Sequence, residues 1–214
     1  LDILGKPFDW QTPRLDIWLN DLKDESSCEL PGQWTTHLID DARPWRAVFV
    51  DTADLDGDSL PDVISGAWWY RNPGAPGGDW LRQVIGAPLD QMAAVADFDS
   101  DGDADILGTV QEGTQPQYGN RFVWAQNDGA GNFVNVASDN PAFCGVPAVS
   151  RGLAVADLDD AGGIDVVVTR VDQTPAIYRN ILPRRGHWLL VRAIDPRLHR
   201  DAYGAELTVK TRNK

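Results

Sequence analysis

The chain has 214 residues, 32 acidic and 19 basic side chains, and a formal net charge of −13. That balance excludes a nucleic-acid surface, which needs clustered Lys and Arg, and it argues against docking on anionic lipid. Apolar residues reach 43 %, enough for a folded core, yet no apolar run approaches the roughly 20 residues that a membrane-spanning helix needs.

The charge is concentrated. Asp54, Asp56, Asp58 and Asp62 form one cluster, Asp97, Asp99, Asp101, Asp103 and Asp105 a second, and Asp157, Asp159, Asp160 and Asp165 a third. The remaining nineteen acids match the nineteen bases, so these clusters account for the whole net charge.

Residues 1–32 match no recognisable pattern and are left unassigned. Trp34–Ile39 reads as the closing strand of a preceding repeat, and 33–46 as that strand and its link. Three aligned copies follow, at 47–86, 92–137 and 151–182. In each, a β-like apolar run enters a nine-residue acidic loop and a second apolar run leaves it. An aromatic segment then ends in Asn72, Asn127 or Asn180. Trp80–Ile85 and Asn132–Val136 supply closing strands in the first two copies. Strand, acidic loop, strand, turn, aromatic strand, turn, closing strand is a four-stranded antiparallel meander. Such sheets repeated in series predict an all-β fold of β-propeller blades. Trp34, Trp68, Trp80, Trp124 and Trp188 recur at strand positions and read as blade packing. Three full copies are too few to close a ring of four to eight blades, so the rest of a longer chain or partner chains are expected to complete it.

The second copy is longer than the first, with extra residues at about 109–120 and in the 138–150 connection. Both insertions extend the face opposite the acidic loops, where repeat proteins often bind ligands. On that face, Arg43, Trp45 and Arg46 of the first link, with Tyr118 of the inserted loop, are candidate contacts for a sugar or peptide.

Carboxylates at positions 1, 3, 5 and 9 of a tight loop repel one another, and a divalent cation removes that cost. Oxygen-only ligands and a carboxylate-rich, flexible shell favour Ca²⁺. The first loop would use Asp54, Asp56, Asp58 and Asp62, with the Leu60 carbonyl. The second would use Asp97, Asp99, Asp101 and Asp105, with the Asp103 carbonyl. Gly57 and Gly102 would permit the bend. A helical EF-hand is the competing loop, but it needs Glu at position 12, where Ser65 and Gly108 stand. The third loop keeps Asp157, Asp159 and Asp165 but has Ala161 at position 5, so a degenerate site is expected there.

These features resemble the FG-GAP, or VCBS, repeats of integrin-α-like β-propellers. The residues that carry the resemblance are the Asp54–Asp62 and Asp97–Asp105 loops, the Asn72-Pro73-Gly74 turn, and the Trp34 and Trp80 strands, over about 33–182. His187–Arg192, His199–Ala205 and Leu207–Lys210 resemble the start of an ASPIC/UnbV module at 187–214. The resemblance implies a secreted, extracellular or periplasmic Ca²⁺-binding propeller for protein or glycan recognition and adhesion. The alternative is a non-hydrolytic sugar-active enzyme of the lyase or dehydratase type on the same scaffold. No nucleophile-elbow motif is present, and no pair among the three histidines has metal-ligand spacing. Cys28 and Cys144 could pair in an oxidising compartment or stay as two thiols.

Overall fold

The computed structural model describes residues 3–5, 15–20, 34–42, 49–75, 77–87, 89, 92–111, 120–171, 173–183 and 191–202. The chain is mainly β. An N-terminal sheet pairs β1 (Ile3–Gly5), β2 (Leu15–Asn20) and β3 (Trp34–Asp40) in that order. A first four-stranded sheet follows, with β4 (Asp51–Ala53), β5 (Asp62–Ser65), β6 (Trp68–Arg71) and β7 (Leu81–Val84). The second has β8 (Ala93–Ala96), β9 (Asp105–Gln111), β10 (Asn120–Asn127) and β11 (Phe133–Asn135). A third has three described strands, β12 (Ser150–Ala156), β13 (Asp165–Arg170) and β14 (Gln173–Tyr178). Each sheet is an antiparallel meander, and the acidic loops join β4 to β5, β8 to β9 and β12 to β13.

The pairing registers coincide. Two residues past the ninth-position Asp, Ile64, Leu107 and Val167 lie opposite Trp69, Trp124 and Ile177. The N-terminal sheet follows the same rule one position earlier: Ile3 lies opposite Trp18, as Val63 lies opposite Tyr70. Asn20 closes β2 opposite Trp34. In the sequence, Asp2-Ile-Leu-Gly5 repeats Asp105-Ile-Leu-Gly108 residue for residue. Residues 1–32, unassigned by sequence, therefore contain two strands whose register matches that of the second and third strands of the four-stranded sheets.

The period-2 alternation of the strands decides which core each residue enters. On β5, Val63 faces the N-terminal sheet and packs with Tyr70, Ile39, Trp68 and Trp80. Its neighbour Ile64 faces the second sheet and packs with Leu55, Trp69, Ile106, Val123 and Ala125. β9 repeats the division, with Ile106 in that core and Leu107 in the next, beside Phe98, Phe122, Val166 and Val168. β5 and β9 are covered on both faces, which is why they read as continuous apolar runs. Full burial of each Leu, Ile or Val is worth about 1.5–3 kcal/mol. Asp40 latches the N-terminal sheet to the first: its Oδ2 accepts from the Tyr70 hydroxyl at 3.0 Å and pairs with the Arg82 guanidinium at 2.9 Å.

The third sheet differs on its outer side. Leu158 in its loop is 47 % exposed, whereas the equivalent Leu55 and Phe98 are 1 % and 4 % exposed beneath the following sheets. Ile177 is 62 % exposed where Trp69 is 3 % exposed.

The 138–150 connection is partly helical. A 3-10 turn (Ala137–Asp139) leads into α1 (Pro141–Cys144), with Pro at the helix start, where its missing N–H costs nothing. Phe143 stacks on Phe122 and tilts against Tyr178, and Cys144 is a buried free thiol. The insertion is thus pinned by aromatic packing between the second and third sheets. Near the C-terminus, β15 (Ile194–Asp195) and β16 (Arg200–Asp201) form a short hairpin. Among the described residues, no helix is long and apolar enough to cross a membrane.

Candidate metal centre

Each acidic loop has one backbone path. Positions 4 and 6 are left-handed in all three: Gly57 and Ser59, Ser100 and Gly102, Asp160 and Gly162. One glycine relieves the strain in each loop, at position 4 in the first and position 6 in the other two. The first-position carboxylate holds this path. Asp54 accepts from the N–H groups of Gly57 and Ser59, each at 2.8 Å. Asp97 accepts from Asp101 and Gly102, and Asp157 from Ala161 and Gly162. Replacement of the fifth-position ligand by Ala161 leaves the path intact, because the bond there uses a backbone N–H.

The ninth-position aspartates are buried pins. Asp62 takes the Leu55 N–H on Oδ2 and the Asn72 N–H on Oδ1, at 3.0 and 2.8 Å. Asp105 takes Phe98 and Asn127 in the same way, and Asp165 takes Leu158 and Asn180. Burial raises the pKa of Asp62, and the charges of Asp56 and Asp58 push it further, against the two backbone bonds. Asp105 is pushed up to about 6, first by burial and also by the Asp99 charge.

The strand-terminal asparagines extend these pins from sheet to sheet. The Asn127 carboxamide donates to the Leu55 carbonyl at 2.9 Å, across the interface between the first and second sheets. Asn180 donates to the Phe98 carbonyl at 2.7 Å, across the next interface. A continuous chain results: Asp62 holds the Leu55 N–H, the Leu55 carbonyl holds Asn127, the Asn127 N–H is held by Asp105, and the pattern repeats through Phe98 and Asn180 to Asp165. Among the described residues, Asn72 reaches within its own sheet, to the Pro61 carbonyl. The sequence shows the recurrence of these asparagines but not this role, which depends on residues 72 and 82 positions apart.

The structure brings together carboxylate oxygens of Asp54, Asp56 and Asp58, of Asp97, Asp99 and Asp101, and of Asp157, Asp159 and Asp165, each set within 4.8 Å. The Asp62 and Asp105 carboxylates lie outside these sets. The donor chemistry is oxygen only, without histidine or cysteine, as a hard cation requires. Asp56 Oδ1 is a buried oxygen with no hydrogen-bond partner, an unmet need that a cation could fill. The residues present therefore fit a divalent ion. A further group carries no local sequence motif. The residue preceding each terminal Asn reaches the third-position carboxylate: Arg71 to Asp56, Gln126 to Asp99, and Arg179 to Asp159.

The candidate contacts Arg43, Trp45, Arg46 and Tyr118 lie outside the described residues, as do Cys28, 187–190 and 203–210. An apolar cleft of 420 Å³ lies between the second and third sheets, bordered by Trp124, Phe143, Ile177 and Leu182. No protein-family model matches the chain, and no curated protein matches it.

Proposed function

We propose that this chain is a run of Ca²⁺-binding β-propeller blades of the FG-GAP type, serving extracellular or periplasmic recognition of a protein or glycan. The observation that carries the reading is the convergence of three carboxylates in each of three strand-connecting loops, with the buried Asp56 Oδ1 left without a partner. Asp54, Asp56 and Asp58 would hold one ion, and Asp97, Asp99 and Asp101 a second. The third loop would bind more weakly for want of a fifth-position carboxylate. The ion supplies the charge that offsets carboxylate repulsion and ties the two strands of each loop together. Asp62 and Asp105 act chiefly as backbone pins beneath the sites.

Serial packing of the sheets and their common register support the propeller. The exposed outer face of the third sheet, with Leu158 and Ile177, is where a further blade would seat, from the rest of a longer chain or from a partner chain. Titration calorimetry of the chelator-treated chain should show two Ca²⁺ bound, with Mg²⁺ weaker. Thermal unfolding should move upward with Ca²⁺, by mass action on the folded state. Absence of Ca²⁺ binding at millimolar concentration, with an unfolding temperature indifferent to EDTA, would refute the metal reading. A glycan array then tests the recognition role, which predicts retained ligand without turnover.

A further inference from the structure

We propose that the residue preceding the strand-terminal Asn tunes the metal loops, with Arg71 acting as a resident counter-cation that limits the divalent affinity of the first loop. The inference rests on the metal reading above and concerns its regulation. Arg71 leaves β6 beside the first loop. Its Nε lies 2.7 Å from Asp56 Oδ2, and its Nη2 lies 3.2 Å from Asp58 Oδ2. Two of the three converging carboxylates thus already share one positive charge. The Arg71 side chain is 48 % exposed, whereas that of Asp56 is 11 % exposed, so the guanidinium caps the set from its solvent side. Asp54 is engaged with the loop N–H groups, and Asp56 Oδ1 is reached neither by Arg71 nor by a backbone N–H.

The consequence is competition between two cations. A divalent ion entering this set must either displace the guanidinium or bind beside it. Either route weakens binding relative to the same loop without the arginine. The arginine in turn holds the loop charge-compensated when the ion is absent. The same position holds Gln126 beside the second loop, where the side-chain amide donates to Asp99 without adding charge. In the third loop it holds Arg179, paired with Asp159. One sequence position therefore varies the charge presented to three loops that share a backbone path.

The test uses the full chain with the second loop silenced by Asp101→Ala. Ca²⁺ affinity is measured by competition with a chromophoric chelator, and melting temperature is measured in EDTA and in excess Ca²⁺. In that background, Arg71→Gln should tighten the first-loop site by about tenfold at low salt, with the gain shrinking as salt screens the half-exposed charge. The same variant should melt lower than its parent in EDTA and show a larger upward shift with Ca²⁺. In the otherwise native chain, Gln126→Arg should loosen the second-loop site by a similar factor, which gives a second arm if Arg71→Gln fails to fold. Unchanged or weaker first-loop binding in Arg71→Gln, with the native chain still binding Ca²⁺, would overturn the proposal and leave the metal reading standing. No Ca²⁺ binding by the native chain would overturn both.

Discussion

Removal of the Asn127 carboxamide tests the inter-sheet chain directly. Asn127 is buried, and its Nδ2 donates to the Leu55 carbonyl at 2.9 Å and to the Ala104 carbonyl at 3.1 Å. Its Oδ1 accepts from the N–H groups of Gly129 and Gly131. Asn127→Ala deletes all of these bonds and leaves the carbonyl of the buried Leu55 without this donor. A net hydrogen bond is worth about 0.5–1.5 kcal/mol, and an unsatisfied buried group costs about 1–3 kcal/mol. The expected loss is therefore about 3 kcal/mol, or about 6–12 °C in melting temperature for a domain of this size. Asn180→Ala removes one inter-sheet bond and the Leu182 turn bond, and should cost about 2 kcal/mol. Among the described residues, Asn72→Ala removes bonds within its own sheet alone, to Pro61 and Gly74, at a half-buried position, and should cost about 1 kcal/mol. Urea unfolding followed by tryptophan fluorescence and circular dichroism, in EDTA and in Ca²⁺, gives the ranking. An Asn72→Ala loss equal to or larger than that of Asn127→Ala would refute the inter-sheet chain as a source of stability.

Two further outcomes follow from packing. Gly131 has φ of +77°, and a Cβ there would run into the buried Trp69 ring of the first sheet, so Gly131→Ala should destabilise by about 2 kcal/mol or more. A melting temperature within 2 °C of the native chain would show that the two sheets are not in that contact. Burial pushes the Cys144 thiol up to about 11, so at pH 8 only roughly one molecule in a thousand carries the thiolate there. Alkylation of Cys144, read by peptide mass spectrometry, should be slow in the native protein and rise steeply on unfolding; rapid native labelling would contradict the buried site.

The acidic loops, their order and the strand pattern around them are legible because they are local. A nine-residue loop with carboxylates at alternate positions, between apolar runs, specifies a turn between two strands in the sequence alone. The roles of those carboxylates are less local. Positions 1, 3, 5 and 9 look alike on paper, yet Asp62, Asp105 and Asp165 are buried pins because each lies opposite the N–H of an asparagine 10, 22 or 15 residues later. Strand pairing decides that, and the spacing differs in every copy. The N-terminal strands escaped the reading because Asp2-Ile-Leu-Gly5 is too short to stand out as a repeat without its pairing register.

The all-β class, the three acidic loops and the location of the net charge are legible along the chain, since each follows from composition and short-range periodicity. Three-dimensional packing sets which carboxylates converge, places Arg71 among the first set, and lets Leu55 and Phe98 pass the chain of hydrogen bonds from sheet to sheet. Those outcomes depend on side chains that meet across paired strands and stacked faces, at separations that no local pattern encodes.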